Sequence, residues 1–351
     1  MRVQQVLLGL VAALLSGCAT LGYYGQAARG QIEILLGRRP LADVIADPGT
    51  PQELRRKLAL ARDARAFAVR ELALPDNASY LRYTDLHRPY VVWNVFAAPA
   101  LSLTPLETCF PVVGCLSYRG YFREARARAF AAGLTAKGND VYVGGVAAYS
   151  TLGWFADPLL NTMLVWDDQR LVKTLFHELA HQRVYFPDDT TFNESFAMAV
   201  ADLGYARWRQ AQGMPAEPDE EEARDAVLID LLIRHRRELE ALYARKDLSD
   251  AEKLERKAAQ FAALQADYAT LRERWGGDTS YDRWMNEDMN NAKLASIATY
   301  HELVPGFRAL FEQSGQSFAE FYRRVEAMKD ATREARAEQM KALMQAQVVA
   351  R

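Results

Sequence analysis

The sequence predicts an α+β, helix-rich protein with one small β-sheet and an appended antiparallel helical hairpin. Three observations carry that expectation. Apolar residues recur at helical intervals towards both ends of the chain. Runs of β-branched and aromatic residues broken by Pro and Gly are confined to residues 80–153, and the composition turns sharply charged beyond Arg209. Of the 351 residues 50% are apolar, enough to bury a sizeable core, and the formal net charge is -2 with both signs mixed throughout. A nucleic-acid binder concentrates cations on one face, so no nucleic-acid partner is expected.

Residues 1–17 read as a removable signal peptide, in which Arg2 supplies the positive start and Val6 to Leu15 an apolar stretch too short for an ordinary membrane span. Leu15-Ser-Gly-Cys18 resembles a bacterial lipobox. That resemblance implies a lipidated Cys18 as the new N-terminus, and Ala19 after it resembles the outer-membrane-sorted class. A membrane-tethered body in the cell envelope, facing the periplasm, follows as the expected location; an ordinary secretory signal or a hydrophobic first helix is the alternative. With Cys18 taken by lipid, Cys109 and Cys115 remain as an even pair around Phe110-Pro-Val-Val-Gly114, and an oxidising compartment favours a disulfide between them over two buried thiols.

The body, residues 18–351, reads as a single unit. Residues 19–79 hold N-terminal helices, with Tyr24 to Arg38 and Pro51 to Leu74 as the two segments. Thr50-Pro-Gln-Glu53 has the pattern of a capping box at the start of the second. Residues 80–169 form a sheet-containing lobe, with strands expected at Tyr90–Phe96, Cys115–Tyr121 and Asp140–Gly144 and a helix at Phe122–Ala136. Tyr142 to Ser150 is the expected edge, where an extended peptide can add by main-chain hydrogen bonds. Trp154, Phe155 and Asp157 sit in a following loop suited to walling a cleft.

Residues 170–214 carry the chemistry, in Thr174-Leu-Phe-His-Glu-Leu-Ala-His-Gln182 and Phe192-Asn-Glu-Ser-Phe-Ala197. His177 and His181 are four apart, so a helix puts both imidazoles on one face where they can share one metal ion. Glu178, beside the first histidine, is placed to act as general base on a water activated by that ion. Glu194 follows His181 with 12 residues between and is the best third ligand, because Phe186-Pro-Asp-Asp-Thr-Thr191 has the content of a turn that returns the chain antiparallel. Asp188 and Asp189 offer further oxygens, although turn chemistry explains them. Asp167 and Asp168 read as the cap and dipole partners of the first helix. A metzincin is excluded, since it needs Gly at 184 and His at 187 where this chain has Val184 and Pro187. One Zn2+ on His177, His181 and Glu194 is the expected cofactor.

His177-Glu-Leu-Ala-His181 with Asn193-Glu-Ser-Phe-Ala197 resembles the signature of the thermolysin-like gluzincins of the alanyl and leucyl aminopeptidase type. With the lipobox and the stretch from Asn290 to Tyr300, the whole chain is similar to a bacterial family of predicted lipoprotein aminopeptidases. The resemblance implies a zincin-like metallopeptidase fold, a peptide substrate, His177, His181 and Glu194 as zinc ligands, and Glu178 as general base. Where those enzymes carry Gly-Ala-Met-Glu-Asn, whose glutamate holds the substrate amine, this chain has Gly145-Val-Ala-Ala-Tyr149. Asp157 is the substitute candidate for that amine, against an ordinary solvated aspartate. An endopeptidase is therefore the alternative activity. A non-catalytic envelope lipoprotein with a structural zinc and a partner-binding hairpin is the alternative of another class.

Residues 215–276 read as the hairpin, with Pro215 to Asp219 as linker, Glu220 to Lys246 as one helix and Ser249 to Arg274 as the other, the second opened by a Ser249–Glu252 capping box. Its charge reads as a solvated face, with a protein-partner surface as the alternative, and His235 among Arg234, Arg236 and Arg237 reads as solvent-facing. In the C-terminal helices, 277–351, Tyr300 is the candidate phenol for stabilising an oxyanion. His301 beside it reads as a substrate contact or a turn residue. Ser317 to Glu320 opens another helix, and Lys329 to Gln347 is expected to fray.

Overall fold

The computed structural model describes residues 21–111, 113–215 and 220–349. The expected signal peptide and lipidation site, residues 1–18, and most of the 215–219 linker lie outside the described residues. The fold is α+β and helix-rich, and among the described residues no helix is long and apolar enough to cross a membrane.

Helix α1 (21–36) leads through β1 (Arg39–Pro40) and α2 (Leu41–Ala46) into α3 (Gln52–Glu71). The capping box expected at Thr50 does not form. Its hydroxyl instead donates to Val44 O at 2.7 Å, closing the α2–α3 turn, and Glu53 pairs with Arg56 at 2.8 Å. Leu58, Ala61, Ala64, Phe67 and Ala68 of α3 are buried, the inward stripe of an amphipathic helix.

Next come β2 (Arg82–Thr84), β3 (Val92–Pro99), β4 (Thr108–Phe110), β5 (Gly114–Leu116), β6 (Arg119–Tyr121), α4 (Glu124–Thr135), β7 (Asn139–Val146) and β8 (Leu159–Leu160). The main sheet has the order β6-β3-β7, all antiparallel, so β7 is an edge strand, although it ends at Val146 and not at the expected Ser150. The strand expected from Cys115 to Tyr121 divides in two. Its first half pairs with β4 in a small hairpin closed by the Cys109–Cys115 disulfide, and its second half pairs with β3. A third small sheet, β1-β2-β8, was not legible, because strands of two or three residues are too short for a period-2 pattern to register.

Helices α5 (Asp168–Arg183) and α6 (Thr190–Ala211) form an antiparallel pair at the centre of the core, with Leu175, Phe176, Leu179 and Ala180 of the first and Phe196, Ala197, Ala199 and Val200 of the second fully buried. Asp167 caps α5 by accepting from Arg170 N at 2.8 Å, and Asp189 caps α6.

Helices α7 (Glu220–Ala244) and α8 (Asp250–Arg274) make the hairpin, and the Ser249–Glu252 capping box is present. Its apolar residues Leu231, Leu239, Leu264 and Tyr268 share one cluster with Leu294, which belongs to α10 (Asn291–His301) beyond the short α9 (Asp282–Asn286). His235 corrects the sequence reading. It is 2% exposed, facing α8, where its ring lies 3.0 Å from Asp267 and accepts from Gln260 at 2.9 Å. Arg234 meets the same Asp267 oxygen at 2.8 Å, so an acid from α8 offsets the cationic neighbours whose charge misled.

The chain ends in α11 (Val304–Gln313), α12 (Phe318–Glu326), capped by Ser317, and α13 (Arg333–Val349). The tail expected to fray is instead packed: Met340 is 0% exposed and Arg336 pairs with the α6 cap Asp189 at 2.8 Å. One buried methionine and one buried arginine outweigh an Ala-, Glu- and Lys-rich composition.

Candidate metal centre

Buried flanking side chains fix the roll of α5, so His177 and His181 leave one face a turn apart. The return to α6 is set by Asn193, whose side chain takes both backbone groups of Phe186, accepting from its N–H at 2.8 Å and donating to its carbonyl at 2.7 Å. Glu194 is thereby carried onto the histidines. Its Oε2 lies 3.2 Å from His177 Nε2 and 3.3 Å from His181 Nε2, and the two imidazole nitrogens are 3.1 Å apart. All three side chains are buried, and they form a group able to hold a metal ion.

Two imidazole nitrogens and one carboxylate oxygen facing a common point form a donor set that suits a borderline divalent cation such as zinc. Burial alone would raise the Glu194 carboxyl, but His181 and His177 outweigh it and hold the group well below the ordinary carboxylate range. His181 is shifted up in turn: burial opposes its charge, and the Glu194 carboxylate prevails. Its Nδ1 is buried without a hydrogen-bond partner among the described residues.

Glu178 stands apart from that group. It is 8% exposed, takes no hydrogen bond among the described residues, and its carboxyl is pushed up by burial against the opposing pull of His177 and His181. Tyr300, at the end of α10, lays its ring over His177 with centroids 6.2 Å apart. Burial first, then Glu194 and Glu178, keep its phenol protonated.

Sequence reasoning missed Tyr118. Ser117 N donates to Thr190 Oγ1 at 3.2 Å, docking the link between β5 and β6 against the start of α6 and setting the Tyr118 hydroxyl 3.4 Å from Glu194 Oε1. No spacing rule ties a tyrosine to a helix residue 76 positions away. Its only sequence signal was membership of an aromatic strand beside the expected edge.

The group opens into a cleft of about 1240 Å³ walled by β7, by Trp154 and Phe155, and by α7. Asp157, the proposed amine holder, is not at its surface. It is 2% exposed, with its carboxylate accepting from Thr151 N at 2.9 Å and Thr151 Oγ1 at 2.7 Å, so it braces the loop instead. Asp188 accepts from Cys115 N at 2.7 Å and Asp189 caps α6, and neither joins the ligand group. His301 lines the cleft and is held neutral, its pKa pulled down to about 4 by burial.

Fold and site together define a helix-rich α+β protein whose central helix pair presents a buried His–His–Glu group to a deep cleft. A family model described as "Putative aminopeptidase" matches residues 22–340, and the chain belongs to that family. Membership makes it a peptidase, with a peptide substrate. Comparison with curated proteins and with solved structures gives no match.

Proposed function

We propose that this protein is a zinc-dependent aminopeptidase of the gluzincin type, built on a zincin-like unit and tethered to the cell envelope through Cys18. The observation that carries the reading is the separation of roles at the site. Three donors converge on one point, while Glu178, one residue from His177, is buried beside them without joining them. A divalent ion held by His177, His181 and Glu194 supplies Lewis acidity towards a scissile carbonyl and towards water. Glu178, its proton affinity raised by burial, takes the proton of the attacking water and passes it to the leaving amine. Tyr300 keeps its O–H and donates it to the oxyanion. The outer edge of β7 holds the substrate chain in extended form.

A closed structural site takes four protein ligands, whereas among the described residues the group has three, which favours catalysis over a structural zinc. One observation supports an endopeptidase as the second reading: the cleft-lining edge from Gly144 to Ser150 carries no carboxylate for a substrate amine. The experiment is Glu178→Gln with metal content measured beside turnover on peptides with free and blocked N-termini. Retained zinc with about 10²–10⁴-fold lower turnover is expected. Full activity with zinc bound rejects the mechanism, and cleavage of blocked peptides alone selects the endopeptidase.

A further inference from the structure

The outer face of α1 reverses the usual order of an amphipathic surface helix, in which the solvent side is polar. Leu21, Tyr24, Ala28, Ile32 and Leu36 recur at intervals of three and four and therefore form one stripe. Its four large members are 73, 41, 53 and 82% exposed. The helix has no freedom to roll and bury them. Gln26 accepts from Phe122 N at 3.0 Å on the inward side, and a Cβ on the inward Gly30 would fall 2.1 Å from the Phe122 ring.

Two features extend the stripe. At its C-terminal end Arg38 Nη1 donates to Ala156 O at 3.2 Å, which brings in Trp154 and Phe155, 71 and 50% exposed. Beside it runs a groove of about 620 Å³ walled in part by Arg29, Arg123 and Arg126. Among the described residues none of the three pairs with a carboxylate, and the acid of that groove, Glu33, is taken by Arg88 at 2.9 Å.

We propose that this face docks on a phospholipid bilayer carrying anionic headgroups. The stripe, with Trp154 and Phe155, enters the boundary between headgroups and acyl chains, and the three arginines take phosphates. Charge decides between occupants. A second copy of the chain docked about a two-fold axis that crosses the stripe would set one arginine groove against another. Residues 1–20 contain no Asp or Glu to meet those arginines. Tyr24, Trp154 and Phe155 also line the cleft, so docking brings its mouth to the membrane surface.

The described contacts all lie within residues 21–349, so the chain from residue 18 onward with Cys18→Ser keeps every one of them and carries no lipid or signal peptide. Its partition onto phosphatidylcholine vesicles, with and without phosphatidylglycerol, is compared with that of Ile32→Glu/Leu36→Glu, of Ala28→Glu and of Arg29→Glu/Arg126→Glu, with circular dichroism as a check on folding. Substitutions in the stripe are expected to lower partition about tenfold on both vesicle types. The arginine pair should lower it only where phosphatidylglycerol is present, an effect that raised salt reproduces. Unchanged partition in the variants overturns the proposal. So does a dimer of the parent that the stripe substitutions dissociate while vesicle binding stays the same. The readout is independent of peptide cleavage and stands apart from the peptidase reading.

Discussion

The Tyr118 hydroxyl meets one oxygen of Glu194 at 3.4 Å, while the other oxygen is the one that lies 3.2 and 3.3 Å from the two histidines. A carboxylate engaged on both oxygens has one orientation, so Tyr118 is a positioning residue for the donor set. Removing an outer partner of a metal ligand commonly lowers metal affinity about 10–100-fold, and a bond this long places the effect at the lower end. Tyr118→Phe is therefore expected to weaken zinc retention about tenfold in a chelator titration. The melting temperature of the metal-free protein should barely change. Equal zinc retention in variant and parent would remove Tyr118 from the site.

Asn193 serves the same centre from the other side, by holding the α5–α6 return rather than the ligand. It is 2% exposed and satisfies both the N–H and the carbonyl of Phe186. Alanine leaves two buried backbone groups unpaired, at a cost of about 2–3 kcal/mol. Urea unfolding of Asn193→Ala is expected to show that loss. Asn193→Asp, of nearly the same shape, should not rescue it, because a carboxylate cannot donate to the Phe186 carbonyl. A rescue by Asp would mean that shape rather than hydrogen bonding fixes the return.

Gly114 marks where the disulfide hairpin touches that return. Its φ is +77°, and a Cβ there would lie 2.6 Å from Asp188 Oδ1 and 2.7 Å from Asp188 N. Asp188 cannot retreat cheaply, since it also accepts from Cys115 N at 2.7 Å. Gly114→Ala carries both a left-handed backbone penalty and a clash, together about 1–3 kcal/mol. A lowered thermal midpoint that persists after the disulfide is reduced is the expected result. Disappearance of the difference on reduction would place the strain in the cystine ring instead.

What the sequence disclosed depended on whether a residue's partner was local. His177, His181 and the return to Glu194 were legible because a helix and a Pro–Asp turn are short-range objects with known periods. The hairpin and the Ser249 cap were legible for the same reason. Tyr118 was not, because its partner is set by docking of one loop on another. His235 was misjudged through its neighbours' charges, and Arg336 through the composition of the tail that carries it. Each is buried by a contact from a separate helix, and no window along the chain contains it. Thr50 shows the opposite failure, a complete local pattern displaced by a better acceptor in the preceding turn.

Asp157 offers a test by pH. Burial raises its carboxyl from 3.8 to about 6, opposed by the Thr151 hydrogen bonds and by Arg38. In the unfolded chain it titrates near the ordinary value, so between about pH 4 and 6 the folded form holds the proton more tightly than the unfolded one. Stability from this group is therefore fully present at low pH and is lost as the pH rises through about 6, by an amount on the order of 3 kcal/mol. Asp157→Asn keeps an acceptor for Thr151 and has no charge to bury. The variant's melting temperature relative to the parent is expected to climb between pH 4 and pH 7.5 and then level off. A difference that stays constant over that range would show that the Asp157 carboxylate is already solvated in the folded protein, and that the loop bearing Trp154 and Phe155 is braced by something else.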